Sequence, residues 1–259
     1  MNLQELNPSV KAITLIVAVF LLAFVFDPIT PLVFSLGIIT ITFLFGHVSF
    51  KRWALYFIPF FIIAFGFFWT TLVFSDSSNH SGKLIEAGFL TFPLEGFQVA
   101  VSLALRVLGF ALLSLLFILT TNKTDFLLSL MQQLKLSPKI AYGVLAGYRF
   151  LPLMLTELKT IRMAHRIRGI HRGKGISGRV RELKRYVIPL LASAIRKAER
   201  TAVAMESKGF TGSRQRTFYR TMNISYKDWV FLGMVLALYG VSVYTSVSWG
   251  YFEWYNGQL

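Results

Sequence analysis

The chain has 259 residues, 54% of them hydrophobic, with 25 Phe and a formal net charge of +15. Its mean hydropathy is +0.58 and its isoelectric point about 10.2. So much apolar side chain is more than a soluble domain of this length uses, which argues for a membrane body and against a nucleic-acid-binding module despite the basic charge. With no Cys there is no disulfide framework and no thiolate chemistry.

Met1 to Val10 has no basic n-region, and no small-residue cleavage site follows the first apolar run, so it does not read as a cleaved signal peptide. The apolar runs that approach the ~17–25 residues of a membrane span are few. The first, Ala12 to Phe26, is a little short. Asp27-Pro28-Ile29-Thr30-Pro31 predicts a tight turn into a second run, Leu32 to Phe45. His47, Lys51 and Arg52 mark a cytosolic loop before the third run, Trp53 to Phe74, with Trp53, Tyr56 and Trp69 as interfacial aromatics. A polar outer loop, Ser75 to Gly96, leads to a fourth run, Phe97 to Leu119. The last run is Trp229 to Val247, followed by the aromatic residues Trp249, Tyr251, Trp254 and Tyr255.

Ile140 to Thr156 is apolar enough to suggest a further crossing. Arg149 at its centre would cost at least ~2.5 kcal/mol facing lipid, and Pro152 interrupts it. Four spans from an inside N-terminus return the chain to the cytosol at Thr120, and another crossing would place the following basic segment outside. The run therefore reads as an amphipathic helix at the cytosolic face. The expected fold is all-α and polytopic, with about five transmembrane helices and long cytosolic helices. Residues 1–119 would hold the first four spans, 120–225 the cytosolic helices and 226–259 the last span.

Glu157 to Arg220 carries seventeen Lys/Arg against four Glu, a net +13. The positive-inside bias assigns it to the cytosol. Val180, Leu183, Val187, Leu190, Ala194, Ala198, Ala202 and Met205 recur at helical spacing, and Pro189 is placed to kink that helix. Ala194, Ala198 and Ala202 are small enough to let another helix cross closely. A glycine-rich basic loop, Gly169 to Gly178, lies upstream.

Two helix ends in this segment share a pattern. One is Ala164-His165-Arg166-Ile167-Arg168-Gly169-Ile170; the other is Ala204-Met205-Glu206-Ser207-Lys208-Gly209-Phe210. Glycine past the last helical residue suits a left-handed cap, and a cation there is favoured by the helix dipole by ~0.3–1 kcal/mol. The plain reading is two ordinary caps. The sharper reading is two exposed, cation-bearing tips that dock into acidic grooves of a partner.

Tyr148-Arg149-Phe150-Leu151-Pro152 with Glu157, Ile161, Ala164 and Arg168-Gly169, the second tip, and Leu6-Asn7-Pro8 followed by Lys11 together resemble the transmembrane T component of energy-coupling factor (ECF) vitamin transporters. The resemblance covers nearly the whole chain. It departs at Ile167 and Ser207, where the family usually has Ala, and at Lys208, where it usually has Arg; lysine keeps the charge but loses the bidentate fork. The resemblance implies a multi-pass protein of a bacterial or archaeal cytoplasmic membrane. It would join two cytosolic ABC-type ATPase subunits to a small substrate-binding integral membrane subunit. Arg168 and Lys208 would be the coupling cations, flanked by Ala164 and Ala204 and ended by Gly169 and Gly209, with the helices crossing at Ala194, Ala198 and Ala202.

No catalytic chemistry competes with this reading. Gly173-Lys174 is followed by Gly175 rather than Ser or Thr, so no phosphate loop is formed. His47, His80, His165 and His171 lack metal-ligand spacing, and the carboxylates form no acid/base pair. Sequons at Asn79, Asn122 and Asn223 are short enough to arise by chance. Arg106, inside the fourth span, either has a function there or simply snorkels or pairs with a polar neighbour. The expectation is a non-enzymatic scaffold without cofactor. The alternatives are a polytopic membrane enzyme, which would need clustered His, Asp or Glu, and a substrate-carrying ABC permease. A permease would need a polar pocket, for which Thr14, Thr40, Thr42, Thr70 and Thr71 are the main candidates.

Overall fold

A computed structural model describes residues 2–74, 84–87, 90–169 and 175–250. After a short 3-10 helix, Leu3–Glu5, come α1 (Pro8–Ala23), α2 (Ile29–Gly46) and α3 (Phe50–Phe74), then a hairpin of β1 (Leu84–Ala87) and β2 (Leu90–Pro93). The remaining elements described are helices: α4 (Leu94–Thr120), α5 (Lys123–Gln133), α6 (Pro138–Ile167), α7 (Gly175–Ser207) and α8 (Tyr226–Ser248). The chain divides into two compact units. One is Met1–Ser129 with Met222–Leu259; the other is Leu130–Thr221.

Local chemistry sets the helix ends. Asn7 caps α1 by accepting from the Ser9 N–H at 3.1 Å, and Pro8 enters the first turn, where its missing N–H costs nothing. The expected turn before α2 is tighter than its sequence suggests: Pro31 lies inside the helix, and Asp27 Oδ2 accepts from the Thr30 N–H at 2.7 Å. His47, in the left-handed region at φ 48°, closes α2. Lys51 and Arg52, expected in a loop, sit in the first turn of α3, where Arg52 Nε donates to Ser49 Oγ at 2.8 Å.

Among the described residues four helices are long and apolar enough to cross a membrane: Ile29–Gly46, Phe50–Phe74, Gly96–Thr120 and Tyr226–Ser248. The shorter α1, at 16 residues, rises about 24 Å. The chain is thus an all-α polytopic membrane protein. The segment expected as a polar loop from Ser75 to Gly96 includes the β1–β2 hairpin, in which Leu84 pairs with Pro93 and Ala87 with Leu90. Asn79, His80, His171, Tyr251, Trp254 and Tyr255 lie outside the described residues, as does part of the glycine-rich loop.

The core of the first unit is built from Leu15, Ala18 and Leu22 of α1, Phe34 and Ile38 of α2, Leu112, Leu113 and Leu116 of α4, and Phe231 and Val235 of α8. Lipid is as apolar as leucine, so close packing rather than water exclusion holds such helices together. Glycine permits that closeness twice. A Cβ on Gly37 of α2 would strike Leu238 of α8, and one on Gly109 of α4 would strike Leu22 of α1. The α3 helix turns Phe61, Ile62, Phe65 and Trp69 outward, which accounts for much of the aromatic excess.

Candidate functional site

In the second unit α6 and α7 run antiparallel. His165 meets the Tyr186 ring near one end, Glu157 meets Ser193 and Lys197 in the middle, and Gly143 and Ala146 face Ala202 and Met205 towards the other. Glu157 is the central tie. Its carboxylate accepts from Lys197 Nζ at 2.7 Å and from Ser193 Oγ at 3.2 Å. Those two hydrogen bonds, with the Lys197 charge, hold its pKa below the ordinary glutamate value. Arg162 adds a cation over the Tyr186 ring at 5.6 Å.

Both predicted tips are left-handed caps of one design. Gly169 has φ 70° and Gly209 φ 79°, values that glycine adopts without the Cβ penalty. At the first tip the Gly169 N–H donates to Arg166 O and the Arg168 N–H to Ala164 O, each at 3.1 Å. At the second, the Gly209 N–H donates to Glu206 O and the Phe210 N–H to Met205 O, each at 2.9 Å, which is the full Schellman pattern. Arg168 and Lys208 therefore occupy the same place, one residue beyond the last helical turn. Both are exposed, and among the described residues neither is in an ion pair. Ile167, beside Arg168, is 87% exposed. The antiparallel pairing sets the first tip beside the N-terminal part of α7, a few residues past Tyr186, and the second at the C-terminal end of α7.

The small-residue crossing is looser than expected. Ala194 is half-buried, but Ala198 and Ala202 are exposed and line an open cleft of about 580 Å³ together with Gly143, Ala146 and Gly147 of α6. The helices are held beside the cleft rather than across it. At its end the Tyr142 and Phe210 rings meet edge to face at 5.5 Å, and the Arg216 guanidinium lies 4.9 Å from the first ring and 5.3 Å from the second. Gly212, at φ 70°, lets the chain pass under the Lys139 side chain. The segment leaving the second tip is thus clamped to the start of α6, a feature no local pattern announces.

The first unit holds two buried polar clusters. Lys11, 1% exposed, donates to Leu3 O at 2.6 Å, to Thr120 O and Oγ1 at 3.2 Å and to Thr121 Oγ1 at 3.3 Å. Beside it Asp228 accepts from the Asn7 N–H and the Ser225 N–H, both at 2.7 Å, and Ser9 Oγ donates to Ser129 Oγ at 2.8 Å. The Asn-Pro-x-x-Lys stretch thereby ties α1 to the end of α4 and the start of α8. In the other cluster Arg106, 8% exposed, donates to Val25 O at 2.5 Å and lies 4.1 Å from the Phe26 ring centroid, while Ser102 Oγ donates to Phe26 O and Asp27 O. Arg106 thus pairs with neighbouring groups. Among the described residues no group of His, Cys, Asp and Glu could hold a metal ion.

The family described as CbiQ, cobalt transport protein, matches residues 2–219. The chain belongs to this family. Its relatives include proteins named energy-coupling factor transporter transmembrane protein EcfT. That of Staphylococcus aureus (strain 04-02981) is 27% identical across 91% of this chain and 89% of its own. That of Streptococcus equi subsp. equi (strain 4047) is 25% identical across 91% and 89%. That of Bacillus subtilis (strain 168) is 31% identical across 58% and 60%. The resemblance drawn from the paired tips and the N-terminal Asn-Pro stretch is borne out at the level of the family.

Proposed function

We propose that this chain is the transmembrane energy-coupling scaffold of an ECF-type importer in a bacterial cytoplasmic membrane. Residues 1–119 and 226–259 form its membrane part, and 120–225 lie in the cytosol. Arg168 and Lys208 each dock into one of two ABC-type ATPase subunits. Ala164 and Ala204 lie one turn back from these cations, and Gly169 and Gly209 end the helices. The observation that carries this reading is the pair of exposed caps, each with a left-handed glycine and a cation, at the ends of α6 and of α7. Two equivalent contacts, set apart along α7, suit two equivalent partners. An antiparallel helix pair linked at Glu157 would pass a movement at either tip to the rest of the pair. Closing of the ATPases on nucleotide would then rock α6 and α7 about the cleft that Ala198 and Ala202 line.

A small substrate-binding membrane subunit would rest on the apolar surface of the same pair, where Ile140, Leu151, Leu155, Ile188, Leu191 and Ile195 are exposed. The protein itself is not an enzyme. Of the five threonines named for a permease pocket, Thr14, Thr40 and Thr42 each donate back to a carbonyl of their own helix, at 2.9, 2.9 and 2.7 Å, which gives the permease alternative little support. Isolation of the tagged full chain in mild detergent tests the proposal. Two ATPase chains and a small integral membrane protein should co-purify, and the reconstituted assembly should take up substrate only with ATP. Substrate uptake by this chain alone would overturn it.

A further inference from the structure

A separate cavity in the second unit, of about 490 Å³, lies where the end of α5 and the start of α6 meet the connector that leads to α8. Lys135 and Arg214 supply its charge; Met131, Leu136, Pro138 and Phe218 supply its apolar wall. Among the described residues no acidic one lines it. Lys135 is held at φ 54°, in the left-handed region, as the Leu134 N–H and the Leu136 N–H both donate to Leu130 O. Glycine or asparagine would suit that backbone better, so a lysine there points to a use for its ammonium. Gln132 Nε2 donates to Arg220 O at 2.8 Å and fastens the connector against α5.

We propose that this cavity binds the headgroup of an anionic phospholipid, with Lys135 and Arg214 on the phosphate and Met131, Leu136 and Phe218 against the first methylenes of the chains. The proposal rests on the reading that 120–225 lies at the cytosolic face. The connector is joined covalently to a membrane helix: Phe218 precedes the start of α8 at Tyr226 by eight residues, which reach at most about 29 Å. The connector and the first turn of α8 have the composition of an interfacial anchor. Tyr219 is fully exposed, at 109%, and Tyr226 and Trp229 are exposed, with Arg220 and Lys227 among them. A polar lining with two cations and no acid suits a phosphate, and the apolar wall suits a lipid rather than a free anion.

Titration of the full chain in detergent with phosphatidylglycerol or phosphatidylcholine of matched chains, read by native mass spectrometry, tests this. Phosphatidylglycerol should be preferred, and Lys135→Gln/Arg214→Gln should weaken it about ten- to thirtyfold. Lys184→Gln/Arg185→Gln, which removes the same charge on α7, should stay within about twofold of wild type. Lys135→Gly relieves the backbone, so it should be at least as stable as wild type and still bind less phosphatidylglycerol; this separates the site from misfolding. Equal losses in both double variants, or displacement of phosphatidylglycerol by millimolar inorganic phosphate, would overturn the lipid site. A cysteine at Thr160 labelled only from outside would overturn the cytosolic placement and the proposal with it. Labelling only from inside, with no lipid preference, would overturn the site alone.

Discussion

Replacing Asp228 with Ala should loosen the membrane unit at one point. The Asp228 carboxylate is 2% exposed. One oxygen accepts from the Asn7 N–H and the other from the Ser225 N–H, each at 2.7 Å. Loss of the cap on α8 costs about 0.5–2 kcal/mol, and stranding the buried Asn7 N–H costs about 1–3 kcal/mol more. The combined loss is about 2–4 kcal/mol, or roughly 5–15 °C in Tm for a protein of this size. Asp228→Asn, which keeps one acceptor in place, should lose about half as much. Asn223 supplies only its backbone oxygen, to the Asn7 side chain at 3.3 Å, so Asn223→Ala should be silent. Thermal unfolding in detergent, followed by tryptophan fluorescence, measures all three. A wild-type midpoint for Asp228→Ala, or an equal drop for Asn223→Ala, would refute the assignment of Asp228 as the latch between α1 and α8.

Gly37→Val should destabilise the same unit by about 1–3 kcal/mol through overpacking, because the new Cβ meets Leu238; adding Leu238→Ala should restore part of the melting temperature. Glu157→Gln should loosen α6 from α7 at neutral pH, read as faster amide hydrogen exchange around residues 157–197. The sign in acid follows from the depressed pKa of Glu157: its contribution is complete above the ordinary value of 4.5 and is lost as pH falls through the lower folded value. Wild-type exchange should therefore rise only below that point, while Glu157→Gln stays flat there.

Hydropathy made the spans legible because a helix facing lipid on most sides, such as α3, must be apolar nearly all round. The expected ends fall within a few residues of α3, α4 and α8. The α6 helix was visible only in part: Arg149 and Pro152 break the apolar run that the continuous helix Pro138–Ile167 ignores. The tips could be read because glycine at a left-handed cap is a local requirement. What they attach to could not be. Glu157 finds its partners 36 and 40 residues away, and Lys11 reaches Thr120 across 109 residues; no local periodicity encodes such register. The alanine stripe was legible as small, but whether a neighbour fills the space beside Ala198 and Ala202 depends on the glycines of α6.

The most direct measurement for the coupling role is ATPase recovery in pull-downs from cells carrying Arg168→Glu, Lys208→Glu or both, with Arg200→Glu on the body of α7 as the control. Each reversal places an anion at the negative end of a helix dipole and removes a cation from the proposed interface, where losing one member of a desolvated pair costs about 2–5 kcal/mol. Either single change should cut recovery and uptake, Arg168→Glu more than Lys208→Glu because guanidinium pairs bidentately. The double change should abolish both, and Arg200→Glu should leave both intact. Full ATPase recovery and wild-type uptake in the double variant would mean that the two tips are ordinary helix caps, and would contradict the account.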